Sequence, residues 1–319
     1  MRPRRIWLER ATGLWIGLLF AAMGLGLFSQ EVADSNQLFG TLARMADSLR
    51  PHLLLLSIAM ALVLLRRDRV ISWICILAAL SGMVAMVADY RARVAPEAGQ
   101  GDLTLLWFNL RYDNDIAVTD LERALHDSGA DLVALTETLP ARDLGDRLAD
   151  LYPYRWGDGA DSGIMVFSRH PFDQLPVRLP RPGATRFLKL RLEVPDRVPL
   201  DLVLVHMSKP WYLGPRAQEQ AFLEKALTRD AERPLVVMGD FNAAPWSRGL
   251  RDNERRHRLR HVARPVPTWP ASIAWLGLPI DHVLLRGTRM HRLQAWGEGL
   301  GSNHLGLRVG IKMPDKGDA

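Results

Sequence analysis

An acid and an amide follow a strand-like run in the C-terminal half of the chain. The segment VVMGDFN (Val236–Asn242) is an apolar run that predicts a buried strand, interrupted by Gly239 and followed by Asp240 and Asn242. Alternation along an extended backbone places Asp240 and Asn242 on the same side, so the carboxylate can hold a water while the amide donates to an anion. The same residues also fit an Asx turn that closes an ordinary strand.

Five other apolar runs end in polar side chains in the same way. Each predicts a strand with a hydrogen-bonding or metal-binding residue at or near one end. An active site assembled from several strand ends of one sheet system has this pattern. The residues concerned are Asn109, Glu137, His206, Asp281 and the neighbours Asn303 and His304.

The order and spacing of these segments resemble the endonuclease/exonuclease/phosphatase superfamily. The resemblance covers about residues 101–312, and its specific motifs are GDFN with APWS (Ala244–Ser247), SGIMVFSRHP (Ser162–Pro171) and the closing Ser302-Asn303-His304. Members of this superfamily are metal-dependent phosphodiesterases and phosphatases with a deoxyribonuclease-like fold. The resemblance therefore implies a four-layer α/β sandwich, in which two mixed β-sheets are flanked by helices.

The periodicity of the chain agrees with an α/β sandwich. Apolar residues at helical spacing predict helices over Val118–Ser128, Arg142–Leu151 and Arg216–Thr228. Arg186–Val194 and Leu200–Met207 predict an adjacent pair of strands. Strands outnumber helices, which suits two packed sheets better than one doubly wound sheet.

The first hundred residues contain apolar runs that are longer than the strand-like runs of the C-terminal part. Residues 11–28 and 70–87 are uncharged runs of 18 residues, and residues 53–65 form a shorter run. We predict about three transmembrane helices from these runs. The short run also fits a core helix, and the first run, after its basic start, also fits a signal peptide.

Positive charge orients these helices. Arginines precede the first run and separate the second from the third, whereas the Ser29–Arg50 loop carries two arginines against three acids. Cytoplasmic segments are enriched in Lys and Arg, so three spans predict an integral protein of a bacterial inner membrane with a periplasmic catalytic domain. The predicted order is a membrane anchor (1–90), a linker (91–101), the catalytic domain (102–312) and a tail (313–319).

The net charge of +6 does not by itself predict nucleic-acid binding. Residues 1–100 contain 11 Lys and Arg against 7 Asp and Glu, and the remaining residues contain 30 against 28, so the C-terminal domain is nearly neutral. The seven arginines between Arg248 and Arg264 fit a solvated helix face, or contact with a phosphate-rich substrate or anionic lipid. We predict Arg248 and Arg251 as substrate-binding residues. The single cysteine, Cys75, excludes a disulfide within the chain and a thiolate zinc site.

The resemblance also implies a metal site. Phosphodiester hydrolysis requires that the charge of the anion be neutralised, and hard oxygen ligands with Mg²⁺ or Mn²⁺ perform this role. Glu137 is implied as the main carboxylate ligand. Asn109 would position that carboxylate or the phosphate, and Asn303 would contribute an amide oxygen.

The remaining roles are catalytic. Asp240 would orient the attacking water or accept its proton, and Asn242 would donate to a phosphoryl oxygen. His206 and His304 would donate to the anion, with Asp281 fixing the tautomer of His304 and raising its basicity.

The chain departs from the superfamily pattern at two positions. Asn303 stands where the superfamily has the acid of Ser-Asp-His, and Arg111 stands where some nuclease branches carry a second acid. Both changes favour a one-metal site. His282 follows Asp281 directly and is predicted to point to the opposite face of its strand.

These observations predict a membrane-tethered, divalent-metal-dependent phosphodiesterase that hydrolyses its substrate with an activated water. Its expected partners are a lipid bilayer and a phosphodiester, either a phospholipid head group or a nucleic acid, and no protein partner is implied. Two alternatives stay open. One is a nuclease acting on extracytoplasmic DNA or RNA, and the other is a degenerate domain that only binds phosphorylated ligands.

Overall fold

The chain divides into two compact units. A computed structural model describes residues 3–33, 38–90, 93–99, 101–159, 163–175, 186–212, 216–228 and 232–318. The N-terminal unit comprises Met1–Ala92 with the short segments Pro210–Leu213 and Trp246–Arg251, and the larger unit comprises the rest of the chain.

Helices form most of the N-terminal unit: α1 (Pro3–Val32), α2 (Leu38–Ser48), α3 (Arg50–Leu64) and α4 (Arg69–Tyr90). Two segments, Trp7–Val32 and Arg69–Ala88, are long and apolar enough to cross a membrane, whereas α2 and α3 meet at a bend of 76° and could together form one further span. The run at 53–65 lies in α3, which is about 22 Å long, shorter than a hydrocarbon core of about 30 Å. The described residues therefore contain two or three segments that are long and apolar enough to cross a membrane, against a predicted count of about three.

A buried apolar cluster holds three of these helices together. It contains Leu19 of α1, Ala61 of α3 and Cys75 of α4. Other large apolar side chains on the same helices are exposed, including Leu14 and Leu77. Exposed apolar faces on long helices suit contact with lipid.

The described residues of the larger unit contain twelve strands. They are β1 (Leu103–Asn109), β2 (Leu132–Thr136), β3 (Tyr154–Trp156), β4 (Ile164–Ser168), β5 (Phe172–Leu175), β6 (Phe187–Leu192), β7 (Leu200–His206), β8 (Leu235–Asp240), β9 (Arg260–His261), β10 (Asp281–Arg286), β11 (Arg289–Trp296) and β12 (Gly306–Lys312).

These strands form two mixed six-stranded sheets, as the sequence predicted. The first has the order β11-β12-β1-β2-β4-β3 and the second β5-β6-β7-β8-β10-β9. Each sheet has one parallel pair at its centre, β1 with β2 and β7 with β8, and its other pairs are antiparallel. A helix connects each parallel pair, α5 (Val118–Asp127) in the first sheet and α7 (Arg216–Thr228) in the second, as a crossover between parallel strands requires.

Alternation decides which side chains fill the space between the sheets. Leu105 and Trp107 of β1 share one buried cluster with Met238 of β8. Their neighbour Leu106 points the other way and packs with Leu121 of α5. On the outer face of the second sheet, the rings of Phe187 and Phe222 of α7 lie 4.6 Å apart. The result is the predicted four-layer order of helix, sheet, sheet and helix.

The remaining helices are short. The helix predicted over Arg142–Leu151 is a 3-10 turn (Leu139–Ala141) followed by the single turn α6 (Leu144–Arg147). Helix α8 covers Arg248–Arg256, and 3-10 turns cover Ala271–Leu276 and Lys316–Asp318.

Part of the predicted linker is paired with the larger unit. Val94 forms a parallel bridge with Val262, and the Glu97 backbone N–H donates to Met290 O at 2.8 Å. Residues 91, 92 and 100 of that linker lie outside the described residues, as does the start of the Ser162–Pro171 motif.

Candidate active site

The predicted site residues lie where the core between the sheets ends. On β1, the inward series Leu105, Trp107 continues to Asn109, and on β8 the inward residue Met238 is followed two residues later by Asp240. Because side chains alternate with a period of two, the residues that end these strands point into the same space as the core. The hydrophobic interior therefore passes directly into a polar cluster.

The second sheet places three of these residues side by side. His206 of β7 pairs with Asp240 of β8, and Asp240 pairs with Asp281 of β10. His206 Nε2 and Asp240 Oδ2 are 3.9 Å apart. His304, just before β12, donates its Nδ1–H to Asp281 Oδ2 at 3.0 Å, and its Nε2 lies 3.9 Å from Asp240 Oδ2.

The first sheet contributes an amide and a carboxylate. Asn109 Nδ2 donates to Asp240 Oδ2 at 3.2 Å and approaches Glu137 Oε1 at 3.4 Å. Glu137 Oε2 accepts the Tyr112 backbone N–H at 3.0 Å, and Glu137 Oε1 lies 3.6 Å from His206 Nε2. These contacts join the ends of both sheets into one cluster.

Unusual backbone conformations support this arrangement. Glu137 and Asn242 have φ values of +55° and +47°, in a region that costs most residues free energy and that occurs often at functional sites. Gly239 has a φ of +153°, and a Cβ at this position would lie 1.9 Å from Val205 O on the neighbouring strand. Only glycine allows β8 to approach β7 this closely directly before Asp240.

Two buried groups of the cluster have raised pKa values. Burial and the nearby charge of Asp281 raise the pKa of Asp240 to about 7. Burial lowers the pKa of His304, but the charge of Asp281 and its hydrogen bond outweigh this effect and raise it to about 9. At neutral pH, Asp240 is therefore poised between its two states and His304 is an imidazolium.

The other two buried groups have lowered pKa values. Burial favours a neutral Asp281, but the charge of His304 and hydrogen bonds to the carboxylate keep its pKa below the ordinary value. Burial, followed by the charges of Arg186 and His304, lowers the pKa of His206 to about 3. His206 is thus a neutral imidazole beside a charged one.

Several supporting residues were not singled out from the sequence. Trp107 Nε1–H donates to Asp281 Oδ1 at 2.9 Å, and Thr136 Oγ1 lies 3.0 Å from His206 Nδ1. Trp107 follows the inward residue Leu105 on β1, and Thr136 follows the inward residues Leu132 and Ala134 on β2, so alternation along each strand was a usable signal. Ser302, the first residue of the closing Ser-Asn-His motif, donates its hydroxyl to Asn109 O at 2.6 Å.

Arg186 is a further supporting residue, and nothing local in the sequence marks it. Its guanidinium donates to His206 O at 3.0 Å, to Met207 O at 2.9 Å and to Ser208 Oγ at 3.2 Å. Met207 O also accepts Asn242 Nδ2–H at 2.8 Å. Arg186 therefore fixes the segment that follows β7 and, through it, the Asn242 side chain.

The structure does not bring every predicted residue into the cluster. Arg248 donates its backbone N–H to Asp47 Oδ2 at 3.0 Å and its guanidinium lies 3.4 Å from Glu31 Oε2, while Arg251 donates to Gln30 Oε1 at 2.7 Å. These are contacts inside the N-terminal unit, and a role of either arginine in substrate binding stays a prediction.

Two further polar residues flank the cluster. Asn303 is exposed, and its backbone carbonyl accepts the Ala271 N–H at 2.9 Å. His282 points away from the cluster as expected from alternation, and its ring contacts His261 Nε2 at 2.9 Å and Ala243 O at 2.7 Å.

A cation has two candidate positions in this cluster. The first is a group of three residues, since one ligand atom each from Asp240, Asp281 and His304 lies within 4.8 Å of the others. However, Asp281 already accepts hydrogen bonds on both oxygens, and a protonated His304 repels a cation. The second candidate position is the carboxylate of Glu137. Its side chain is 15% exposed, which leaves room for water and phosphate in the coordination shell of a hard divalent ion.

The fold is the two-sheet α/β sandwich of deoxyribonuclease-like proteins, with a buried polar cluster where strands of both sheets end. A sequence model of the Endonuclease/Exonuclease/phosphatase family matches residues 106–304, and the chain belongs to this family. Family members are nucleases, phosphodiesterases or phosphatases and use divalent metals.

Solved structures share the fold. An endonuclease/exonuclease/phosphatase from Beutenbergia cavernae aligns with 20% identity and a TM-score of 0.54, covering 67% of this chain and 72% of that one. The human Nocturnin catalytic domain with bound sulfate aligns with 14% identity and a TM-score of 0.51, covering 70% and 98%. D. rerio TDP2 complexed with a single-strand DNA product aligns with 16% identity and a TM-score of 0.50, covering 66% and 99%. No curated protein matches the chain by sequence.

Proposed function

We propose that this protein is a membrane-tethered, divalent-metal-dependent phosphodiesterase. The observation that carries the proposal is the convergence of six chemically suited side chains at one end of both sheets. They are Asn109, Glu137, His206, Asp240, Asp281 and His304. Burying this many polar groups costs stability, and ionisable groups with shifted pKa values cluster at functional sites.

Asp240 is the proposed base. Its carboxylate is fixed by the Asn242 backbone N–H at 2.8 Å and by Asn109 Nδ2–H at 3.2 Å. A pKa of about 7 suits a group that accepts a proton from water near neutral pH. The second hydrogen on Asn242 Nδ2 is proposed to donate to a phosphoryl oxygen.

The two histidines are proposed to stabilise the anion in different ways. His304 offers a charged Nε2–H donor, because Asp281 holds its Nδ1–H. His206 offers a neutral donor at Nε2 when Nδ1 accepts the Thr136 hydroxyl. Preorganised donors aimed at developing negative charge lower the barrier to phosphoryl transfer.

Glu137 is the proposed metal ligand. Asn109 supports it through Nδ2, because its Oδ1 already accepts the Arg111 backbone N–H at 2.9 Å. A bound Mg²⁺ or Mn²⁺ would neutralise phosphate charge. Asn303 is an amide at the position where the superfamily carries an acid. We propose that this change lowers the negative charge beside His304, and that the site therefore binds a single metal ion.

A nuclease is the second candidate, because TDP2 was solved with a DNA product and because arginines are dense after the GDFN motif. Several of these arginines have protein partners, since Arg248, Arg251 and Arg256 contact Glu31, Gln30 and Glu224. This observation weakens the nuclease candidate relative to a lipid phosphodiesterase.

A substrate panel tests the proposal on the full chain in lipid nanodiscs. Duplex and single-stranded DNA, RNA, phospholipids and a generic diester are incubated with Mg²⁺, Mn²⁺ or EDTA. We expect diester hydrolysis with a divalent ion and none in EDTA. Asp240→Asn should lose about 10²- to 10⁴-fold in turnover, whereas Asp173→Asn on the exposed strand β5 should not. Full activity in EDTA, or an active Asp240→Asn variant, would refute the mechanism, and a parent inactive on every diester would favour the ligand-binding alternative.

We propose that the catalytic domain faces the periplasm of a bacterial cell. The support is the distribution of arginines around the apolar runs. A reporter that is active only in the cytoplasm, fused after the last residue, should stay silent. An active reporter would mean an even number of spans.

A further inference from the structure

A short loop of the larger unit exposes three large apolar side chains. Ala271–Leu276 (ASIAWL) is a 3-10 turn without a charged residue. Trp275 is 85% exposed, Ile273 45% and Leu276 48%. Contiguous apolar exposure of this kind is a liability on a water-facing surface and usually marks a binding surface.

The stem of this loop is tied to the strand that carries Asp281. The backbone N–H groups of Thr268 and Trp269 both donate to Leu278 O at 3.0 Å, and Leu278 N–H donates back to Trp269 O at 2.6 Å. Thr268 Oγ1 accepts the backbone N–H groups of Ile280 and Asp281, each at 3.2 Å. The loop is therefore held by hydrogen bonds at its base and is not a free segment.

The same loop is also joined to the segment that carries His304. Ala271 N–H donates to Asn303 O at 2.9 Å, and Leu305 N–H donates to Thr268 O at 2.8 Å. Hydrogen bonds therefore connect the stem of the loop to Asp281 and to both chain neighbours of His304, so the loop has a fixed position beside the cluster.

We propose that Ala271–Leu276 is a lipid-interface loop that inserts Trp275, with Ile273 and Leu276, into the headgroup region of a bilayer. It would thereby present a lipid-borne phosphodiester to the cluster. The second part of this inference rests on the proposed phosphodiesterase function.

The chemistry of the loop selects lipid over nucleic acid. Trp has an apolar body with one N–H donor and is enriched at membrane–water interfaces, and the loop has no charge to desolvate. No Lys or Arg occurs between Arg264 and Arg286, whereas aromatic residues that stack on nucleic-acid bases lie in positively charged grooves. A bilayer is also available, because helices of this chain are long and apolar enough to cross one.

Insertion can be measured without any enzymatic activity. Cys75 is the only native cysteine, so Trp275→Cys in a Cys75→Ser background can carry one environment-sensitive fluorophore. The full chain is placed in phosphatidylcholine/phosphatidylglycerol nanodiscs, with Asp127→Cys on the exposed end of α5 as the matched control. We expect acyl-chain spin labels to quench the fluorophore at position 275 and not at 127. Equal accessibility to water at both positions would overturn the proposal.

Kinetics then test the lipid-borne substrate. The substrates are phosphatidyl-4-nitrophenol in the nanodisc and water-soluble methyl 4-nitrophenyl phosphate, which share a leaving group. Trp275→Ala should lower kcat/KM on the lipid by about ten- to hundredfold, the value of one buried large side chain, and leave the soluble diester unchanged. Tyr154→Ala, which removes another exposed aromatic from the same unit, should change neither.

The outcomes separate the two proposals. Equal losses on both substrates would overturn the inference that the loop presents a lipid-borne diester, because Trp275 would then act on the cluster and not through the bilayer. A parent that hydrolyses neither diester would refute the phosphodiesterase function, and the fluorophore measurement would still decide whether the loop enters lipid.

Discussion

Replacing Asp281 by asparagine should move the loss of activity at alkaline pH into the neutral range. Asp281 Oδ2 lies 3.0 Å from His304 Nδ1, and both side chains are buried. Asparagine keeps the shape and an acceptor oxygen but removes the negative charge. Burial, which favours a neutral imidazole, is then opposed mainly by the weaker influence of Asp240 and Glu137.

The magnitude follows from the pKa of His304. Its increase from 6.5 to about 9 corresponds to about 3 kcal/mol in favour of the imidazolium. Without Asp281, we expect a pKa at or below 6.5. At pH 8, the protonated fraction of His304 would then fall from about 90% to about 3%, which predicts a rate about 30-fold lower from protonation alone.

The raised pKa of His304 affects stability as well as activity. The pKa of His304 is raised in the folded state, so its contribution to stability is complete below pH 6.5 and is lost as the pH rises through about 9. The parent should therefore lose thermal stability over that interval, and Asp281→Asn should lose much less. The assay is kcat/KM from pH 5.5 to 10 beside thermal melts at the same pH values, with Asp173→Asn as the control. An alkaline limb at the same pH in parent and variant would refute the reasoning.

Three further substitutions probe the metal, the supporting shell and the backbone. Glu137→Gln should weaken Mg²⁺ binding by about tenfold or more in calorimetry, and unchanged affinity would remove Glu137 from the metal site. Arg186→Gln should lower kcat about tenfold and raise the pKa of His206 above about 3 in an NMR titration; an unchanged His206 would restrict Arg186 to a structural role. Gly239→Ala should destabilise the larger unit by on the order of 3 kcal/mol, because its Cβ would overlap Val205 O; a small change in denaturation midpoint would contradict this.

The sequence by itself determined the strands and which side of each strand carries chemistry. Side chains alternate along a strand, so Asp240 and Asn242 were expected on one side of their segment, and His282 on the face opposite Asp281. The family motifs, such as GDFN, are likewise short segments that can be read directly from the sequence. The predicted two-sheet sandwich is confirmed. It could be predicted because strands this apolar are stable only when both faces of their sheet are covered.

Tertiary structure alone decided which strand ends meet and which distant residues support them. The pairing of His206, Asp240 and Asp281 on one rung depends on the order of β7, β8 and β10, which follows from long-range packing and not from local propensity. Arg186 reaches the carbonyl of His206, 20 residues away, and no local pattern marks such a contact.

Packing likewise assigned roles that composition could not. The arginine-rich segment was compatible with a solvated helix face and with a substrate contact, and in the structure Arg248 contacts Glu31 and Arg251 contacts Gln30. Nothing in the sequence singles out Trp275, and only the fold shows that its side chain is exposed. The physical reason is that a side chain's type limits the contacts it can make, whereas the enclosing fold determines whether those contacts are with protein, with solvent or with a partner.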